Sequence, residues 1–120
     1  FGDLVLATVQ DVSEPKKPRL WRDRKETYLK RLQSTPRESA LAIASADKIH
    51  NLSNMTQGLV KQGRAFVKPF TASLEEMVWY QETVLATLRE TWSHVILKEH
   101  GRRNAAFLDA VAKLTDENHP

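Results

Sequence analysis

An apolar helix that leads into a cluster of polar side chains is the feature that most constrains this chain. Residues 40–54 read Ala-Leu-Ala-Ile-Ala-Ser-Ala-Asp-Lys-Ile-His-Asn-Leu-Ser-Asn. The first seven of these residues are small or apolar on every side of a helix, a pattern typical of a helix that is buried on all sides. Four polar residues then share one helical face: Asp47, His50, Asn51 and Asn54. The sequence therefore predicts a central helix that carries a polar cluster at its end.

The carboxylate of Asp47 needs a partner if this helix is buried. Burying a carboxylate is costly unless it is paired or coordinates a metal. Candidate partners are Arg24 and Lys25, which fall inside the apolar stripe of the helix predicted for residues 20–33. Their stems can pack while their charges reach water, or both cations can face an anion inside the fold. Asp47 is accordingly either an ion-pair partner of these cations or a metal ligand.

Helical periodicity extends over most of the chain, and no strand pattern of useful length appears. The spacing predicts helices over residues 1–11, 20–33, 36–57, 73–98 and 103–114. We therefore expect one all-α domain over residues 1–120, a bundle of about five helices, with a frayed tail over 115–120.

Capping signals set the expected ends of the two longer helices. Thr35 and Glu38, with Pro36 between them, form a capping-box pattern before the central helix. Ser73 and Glu76 form another before the helix over 73–98, whose apolar stripe is interrupted only by the polar Gln81. Glycines at positions 58 and 101 are expected to end these two helices.

Composition excludes some classes of protein. There is no cysteine, which removes disulfides and thiolate metal sites and fits a reducing cytoplasm. No apolar run approaches the roughly 18 residues of a membrane span. The net charge is only +3, but residues 16–31 hold eight basic side chains against two acidic ones. Such a run forms either a solvated face or a site for a polyanion.

Four segments resemble, in order, motifs of the HD-domain phosphohydrolases, and most closely the RelA/SpoT-type guanosine polyphosphate hydrolases. Residues 46–52, Ala-Asp-Lys-Ile-His-Asn-Leu, resemble the last metal-binding motif of that family. The other segments resemble the helix after its upstream acidic motif, its Arg-Lys helix and its closing long helix. They are Phe1-Gly2 with Val9 and residues 12–14, residues 21–29, and residues 70–72 with Trp79-Tyr80 and Val84-Leu85.

The resemblance implies a divalent metal, most often manganese, with Asp47 as its final ligand. It also implies that Arg24, Lys25, Lys48 and Asn51 contact a nucleotide or another phosphate-ester substrate, with His50 and Asn54 as weaker candidates. The family's first histidine, its His-Asp pair and its acidic pair have no counterpart in the 120 residues. We therefore expect no hydrolysis by this chain alone. As part of a longer protein, the chain would supply one metal ligand and part of the substrate pocket.

Two other functions compete with this interpretation. One is a catalytically inactive helical module whose exposed apolar face binds a protein. The bound partner would be another protein, a second copy of the chain or an upstream segment. The other is a nucleic-acid-binding domain that uses the basic run of residues 16–31. The substrate of a hydrolase also stays open between guanosine polyphosphates and other phosphate esters, because residues 52–54 lack the arginine found in many relatives.

Overall fold

A computed structural model of the protein describes residues 20–117 of the chain. Its elements are α1 (Trp21–Ser34), α2 (Glu38–Gln62), a short 3-10 helix η1 (Gly63–Val67), α3 (Leu74–Thr91) and α4 (Ile96–Glu117). The described range holds no strand, so the all-α prediction is confirmed, with four α-helices in this range. The helix predicted over 1–11 lies outside the described residues. No helix within 20–117 is both long and apolar enough to cross a membrane.

Helix α2 is the centre of the bundle. It packs along α4 and also contacts η1 and α3, while α1 packs on α3. One cluster of buried residues joins α1, α2 and α3 to the start of α4: Tyr28, Leu29, Leu32, Leu41, Ala44, Tyr80, Val84, Leu88 and Leu97. A second cluster joins the later part of α2 to α4: Leu52, Leu59, Phe107, Ala110 and Leu114. The apolar stripe of α3 thus packs inside the domain rather than forming a separate dimer face.

The prediction that α2 is buried on all sides is wrong. Ala40 and Ala44 are fully buried, but Ile43 is 45% exposed, and Ala46 and Asp47 on the same side are exposed as well. The misleading signal is alanine, which has the highest helix propensity and suits an exposed helix surface as well as a buried one. Helix α2 therefore has one open face, and the polar cluster begins on it.

Helix α2 begins later than its predicted capping box. The backbone N–H of Thr35 donates to the carbonyl of Arg31 and closes α1, at 3.0 Å. The Thr35 hydroxyl accepts a hydrogen bond from the N–H of Arg37, at 3.3 Å, instead of capping α2. Helix α2 then starts at Glu38, preceded by Arg37 with no side-chain cap. Thr35 closes α1 and therefore does not cap α2, so the capping box predicted from Thr35 and Glu38 does not form.

Helix α2 also continues past its predicted end. Gly58 is a buried residue inside the helix because the ring of Phe66 lies where a side chain at position 58 would point. The helix ends at Gly63, whose φ of 62° is a left-handed conformation that favours glycine. Gly58 is therefore a packing glycine rather than a helix stop.

The capping box before α3 is confirmed in both directions. The hydroxyl of Ser73 accepts a hydrogen bond from the N–H of Glu76 at 3.1 Å, and the Glu76 carboxylate accepts one from the N–H of Ser73 at 2.9 Å. These two bonds satisfy donors that have no partner within the first turn.

The predicted end of α3 is wrong, since the helix stops at Thr91 and α4 already begins at Ile96. Trp92 is extended, with ψ of 151°, and its ring stacks on His94 at 4.6 Å between centroids. His94 Nδ1 accepts a hydrogen bond from the N–H of Ile96 at 3.1 Å, so His94 caps the start of α4. Trp92 and Val95 keep a helical spacing across this turn, and this spacing made the helix appear to continue. Val95 is 72% exposed and does not belong to the buried face.

Helix α4 is longer than predicted at both ends. Gly101 lies inside it rather than ending a helix, and the helix runs through Glu117, beyond the point at which fraying was expected. Its inward residues Phe107, Ala110 and Leu114 are buried, and Val111 is packed against them.

Candidate ligand-binding cleft

A cleft of about 520 Å³ opens between α1, α2, η1 and α3. Six of the seven residues predicted for the site line it, and His50 is the exception. The six are Arg24, Lys25, Asp47, Lys48, Asn51 and Asn54. The other lining residues are Trp21, Met55, Phe66, Phe70, Thr71, Ala72, Met77, Tyr80 and Gln81. The structure thus brings together residues from α1 and α2 that the sequence had placed on separate helices.

The two cations that fall inside the apolar stripe of α1 lie at the cleft. Arg24 and Lys25 are partly buried, and both line the cleft. The ammonium nitrogen of Lys25 lies 4.6 Å from the ring centroid of Tyr80 and 5.6 Å from that of Trp21. Each distance is within the range of a cation–π interaction. The ammonium group of Lys25 therefore lies against aromatic rings in the wall of the cavity.

Lys48, and not Asp47, is the buried charge of α2. Lys48 is only 5% exposed, and its nitrogen lies 5.0 Å from the ring centroids of both Tyr28 and Tyr80. The same nitrogen contacts Asp47 Oδ2 at 3.2 Å, while the Asp47 side chain is 55% exposed. The expectation of a buried Asp47 is therefore wrong, because the open face of α2 leaves that carboxylate at the mouth of the cleft.

The remaining predicted residues divide between the cleft and the outer surface. Asn51 Nδ2 reaches Asp47 Oδ2 at 3.5 Å, the limit of a hydrogen bond, so both groups lie on one side of the cleft. His50 Nε2 is 3.1 Å from Asn54 Nδ2, and this pair lies along the exposed face of α2. His50 is consequently a surface residue beside the cleft.

Tyr80 is the shared centre of the cationic wall. Its ring centroid lies 6.0 Å from that of Trp21 and 6.2 Å from that of Tyr28, and the ammonium groups of Lys25 and Lys48 both approach its ring. Edge-to-face packing of this kind fixes the rings relative to one another. The two lysine nitrogens are therefore positioned by a rigid aromatic frame.

The basic run of α1 does not form one continuous face in the described part of the chain. The guanidinium of Arg22 lies 3.4 Å from the ring centroid of Trp79 and is paired with Glu26 at 3.1 Å. Arg24 and Lys25 turn to the cleft instead. Trp79 thus packs outside the cleft, whereas Tyr80 forms its wall.

The other end of the cleft is apolar. Phe66 and Phe70 meet edge to face at 5.3 Å between centroids, and Met55 and Met77 line the same cavity. Phe66 reaches this position because Gly58 leaves room for its ring. The cleft therefore combines a cationic part with an apolar part, the usual composition of a small-molecule site.

The described residues do not make a metal site on their own. Within 20–117 there is no group of three or more histidine, cysteine, aspartate or glutamate side chains that could hold an ion. Asp47 is the one carboxylate among the described residues that line the cleft. A divalent cation in a protein usually has several ligands, so this donor set does not fit a metal without further ligands.

His100 is a buried polar residue that the sequence analysis did not place in the interior. His100 is fully buried in α4, and its Nδ1 lies 2.9 Å from the hydroxyl of Ser45 on α2. Burial, and then the nearby charges of Arg89 and Lys48, together lower the pKa of His100 from its ordinary value to about 4. His100 precedes the buried Phe107 by seven residues, a helical spacing that could have placed it on the inner face.

Comparisons with known proteins add no relative. No protein-family model matches the sequence, and no curated protein matches it. The likeness to HD-domain phosphohydrolases therefore stays a prediction, supported by the four sequence segments.

Proposed function

We propose that this cleft binds a nucleotide or (p)ppGpp-like phosphate ester and forms part of the substrate pocket of an HD-domain, metal-dependent phosphohydrolase. One observation carries the proposal. Three cations, Arg24, Lys25 and Lys48, line the cleft together with a single carboxylate among its described lining residues. An excess of positive charge in a concave site attracts an anion.

The positions of the cations suit a phosphate group. Lys48 is buried, and a charge in a poorly solvated site acts more strongly than one in water. The aromatic frame holds Lys25 and Lys48 near one ring, so little rearrangement is needed when an anion enters. Fixed cations of this kind also stabilise charge that develops during phosphoryl transfer.

The size and the apolar end of the cleft favour an ester over a bare phosphate. A cavity of about 520 Å³ has the volume of a typical site for a small organic ligand. Phe66, Phe70 and the two methionines offer an apolar surface for the organic part of the molecule. A nucleotide combines an anionic end with a flat apolar end, which matches both parts of the cleft.

The metal of the proposed enzyme needs ligands beyond the described residues. Asp47 would be one ligand, at the mouth of the cleft, and manganese is the metal that the resemblance implies. No catalytic step is assigned to the metal, because residues 20–117 do not complete a site for it. A cytoplasmic location belongs to the same proposal.

Calorimetric titration of the full chain with guanosine 5′-diphosphate tests the proposal. Lys25→Met removes the charge of Lys25 and keeps a long, unbranched side chain, and should weaken binding by about 10-fold, the effect of a lost charge-assisted contact. Lys30→Met makes the same change on the same helix at an exposed position outside this cleft, and should leave binding unchanged. Equal affinities of the two variants would contradict the proposal.

A further inference from the structure

Gln81 is a buried polar residue with an unmet hydrogen-bonding atom. It interrupts the apolar stripe of α3, is 4% exposed and lines the cleft. Its Oε1 is shielded from solvent and has no hydrogen-bond partner among residues 20–117. Buried amide oxygens in proteins are nearly always paired, so this one calls for a physical reason.

An unpaired amide oxygen destabilises the folded protein. Gln81 loses the hydrogen bonds that water makes with its oxygen in the unfolded chain and gains none from the described residues in return. A methionine of similar volume would fill the same space without that cost. A glutamine at this position is therefore better explained by a donor that arrives with a ligand than by packing.

The position of Gln81 indicates which part of a ligand it would meet. It follows Tyr80, whose ring is approached by the ammonium groups of Lys25 and Lys48. A phosphate bound by these lysines would bring the adjoining organic group of the same molecule to the α3 wall. The terminal torsion of a glutamine is soft, so a modest rotation of the carboxamide can turn Oε1 toward a group in the cleft.

We propose that Gln81 is a specificity-determining residue, whose Oε1 accepts a hydrogen bond from an N–H or O–H group of the bound phosphate ester. This inference rests on the proposed function and narrows its substrate class. The favoured ligand carries a donor on its sugar or heterocycle, as a nucleotide does, and inorganic pyrophosphate lacks that feature. Selectivity then arises because a ligand without the donor leaves the oxygen unpaired.

The test compares Gln81→Met with the wild-type full chain. Without ligand, Q81M should raise the Tm by about 5 °C, because a buried unpaired oxygen is removed at nearly constant volume. In calorimetric titrations, Q81M should bind guanosine 5′-diphosphate roughly 5- to 10-fold more weakly and bind pyrophosphate as the wild type does. Gln57→Met, the same change at an exposed position on α2, should alter neither affinity.

The other outcomes separate failure of the role of Gln81 from failure of the proposed function. Equal affinity of wild type and Q81M for guanosine 5′-diphosphate, with pyrophosphate still bound, overturns the role of Gln81 and leaves the proposed function standing. A lower Tm of Q81M also overturns it, since Gln81 would then have a partner within the protein. Absence of binding of either probe by the wild type overturns both proposals. Ribose 5-phosphate distinguishes a donor on the sugar from one on the heterocycle. If Q81M binds ribose 5-phosphate more weakly than the wild type does, the donor is a sugar hydroxyl. If the two proteins bind it equally, the donor lies on the heterocycle.

Discussion

The buried His100 should make the stability of this protein fall as the solution becomes acidic. Its folded-state pKa is about 4, against an ordinary value of 6.5, so the unfolded chain takes up the proton first as the pH falls. The contribution of His100 to the free energy of unfolding is therefore fully present above about pH 6.5 and is lost progressively between about pH 6.5 and about pH 4. The groups responsible, besides burial, are Arg89 on α3 and Lys48 on α2.

The size of this loss follows from the difference between the two pKa values. Each pKa unit corresponds to about 1.4 kcal/mol, so the full difference amounts to about 3 kcal/mol, of which about 2 kcal/mol is lost by about pH 5. Urea unfolding of the full chain at about pH 8 and about pH 5 measures the wild-type difference. Carboxyl groups contribute to the same difference, so a variant that lacks only the imidazole is needed to isolate His100.

His100→Gln supplies that comparison. This substitution removes the titrating group. Between about pH 8 and about pH 5, the free energy of unfolding of the variant should therefore fall by about 2 kcal/mol less than that of the wild type. His50→Gln removes an exposed histidine of α2 and should show the wild-type loss. If wild type and H100Q lose the same free energy of unfolding on acidification, the account of a neutral, buried His100 is refuted.

Four further predictions concern helix packing, helix capping and ligand binding. Gly58→Ala should lower the free energy of unfolding by about 1–2 kcal/mol, because overlap with the Phe66 ring outweighs the gain in helix propensity. Gly101→Ala should be neutral or stabilising by up to about 1 kcal/mol, since its new methyl group meets only the flexible end of Arg89, and a destabilised G101A would contradict this reasoning. Ser73→Ala should cost about 1 kcal/mol by loss of the capping box, measured by urea unfolding against exposed Ser93→Ala. Manganese alone should leave the Tm of the full chain unchanged, whereas pyrophosphate should raise it, and a manganese-induced rise would show that the chain completes a metal site.

The sequence was a good guide to the helices and to the composition of the cleft. Periodicity located α1 within one residue at each end, and Arg24 and Lys25, which the sequence places inside the apolar stripe of this helix, line the cleft. These inferences succeeded because they depend on contacts between residues three or four positions apart, which helix geometry alone determines.

Two of the failures involve contacts between distant parts of the chain. Gly58 has the appearance of a helix stop, and only the ring of Phe66 explains its place inside α2. Lys48 is buried instead of Asp47 because its ammonium group packs against the rings of Tyr28 and Tyr80, which come from two other helices. Long-range packing of this kind leaves no periodic signal in the sequence.

The most direct test of the central claim is a map of where a phosphate ester binds. Amide chemical shifts of the full chain, recorded by NMR during titration with guanosine 5′-diphosphate, report this residue by residue. We expect the largest changes at Lys25, Lys48 and Gln81, which belong to three different helices and line one cleft. Changes concentrated instead at the exposed Arg102 and Arg103 of α4, or no saturable change in the cleft, would contradict the account.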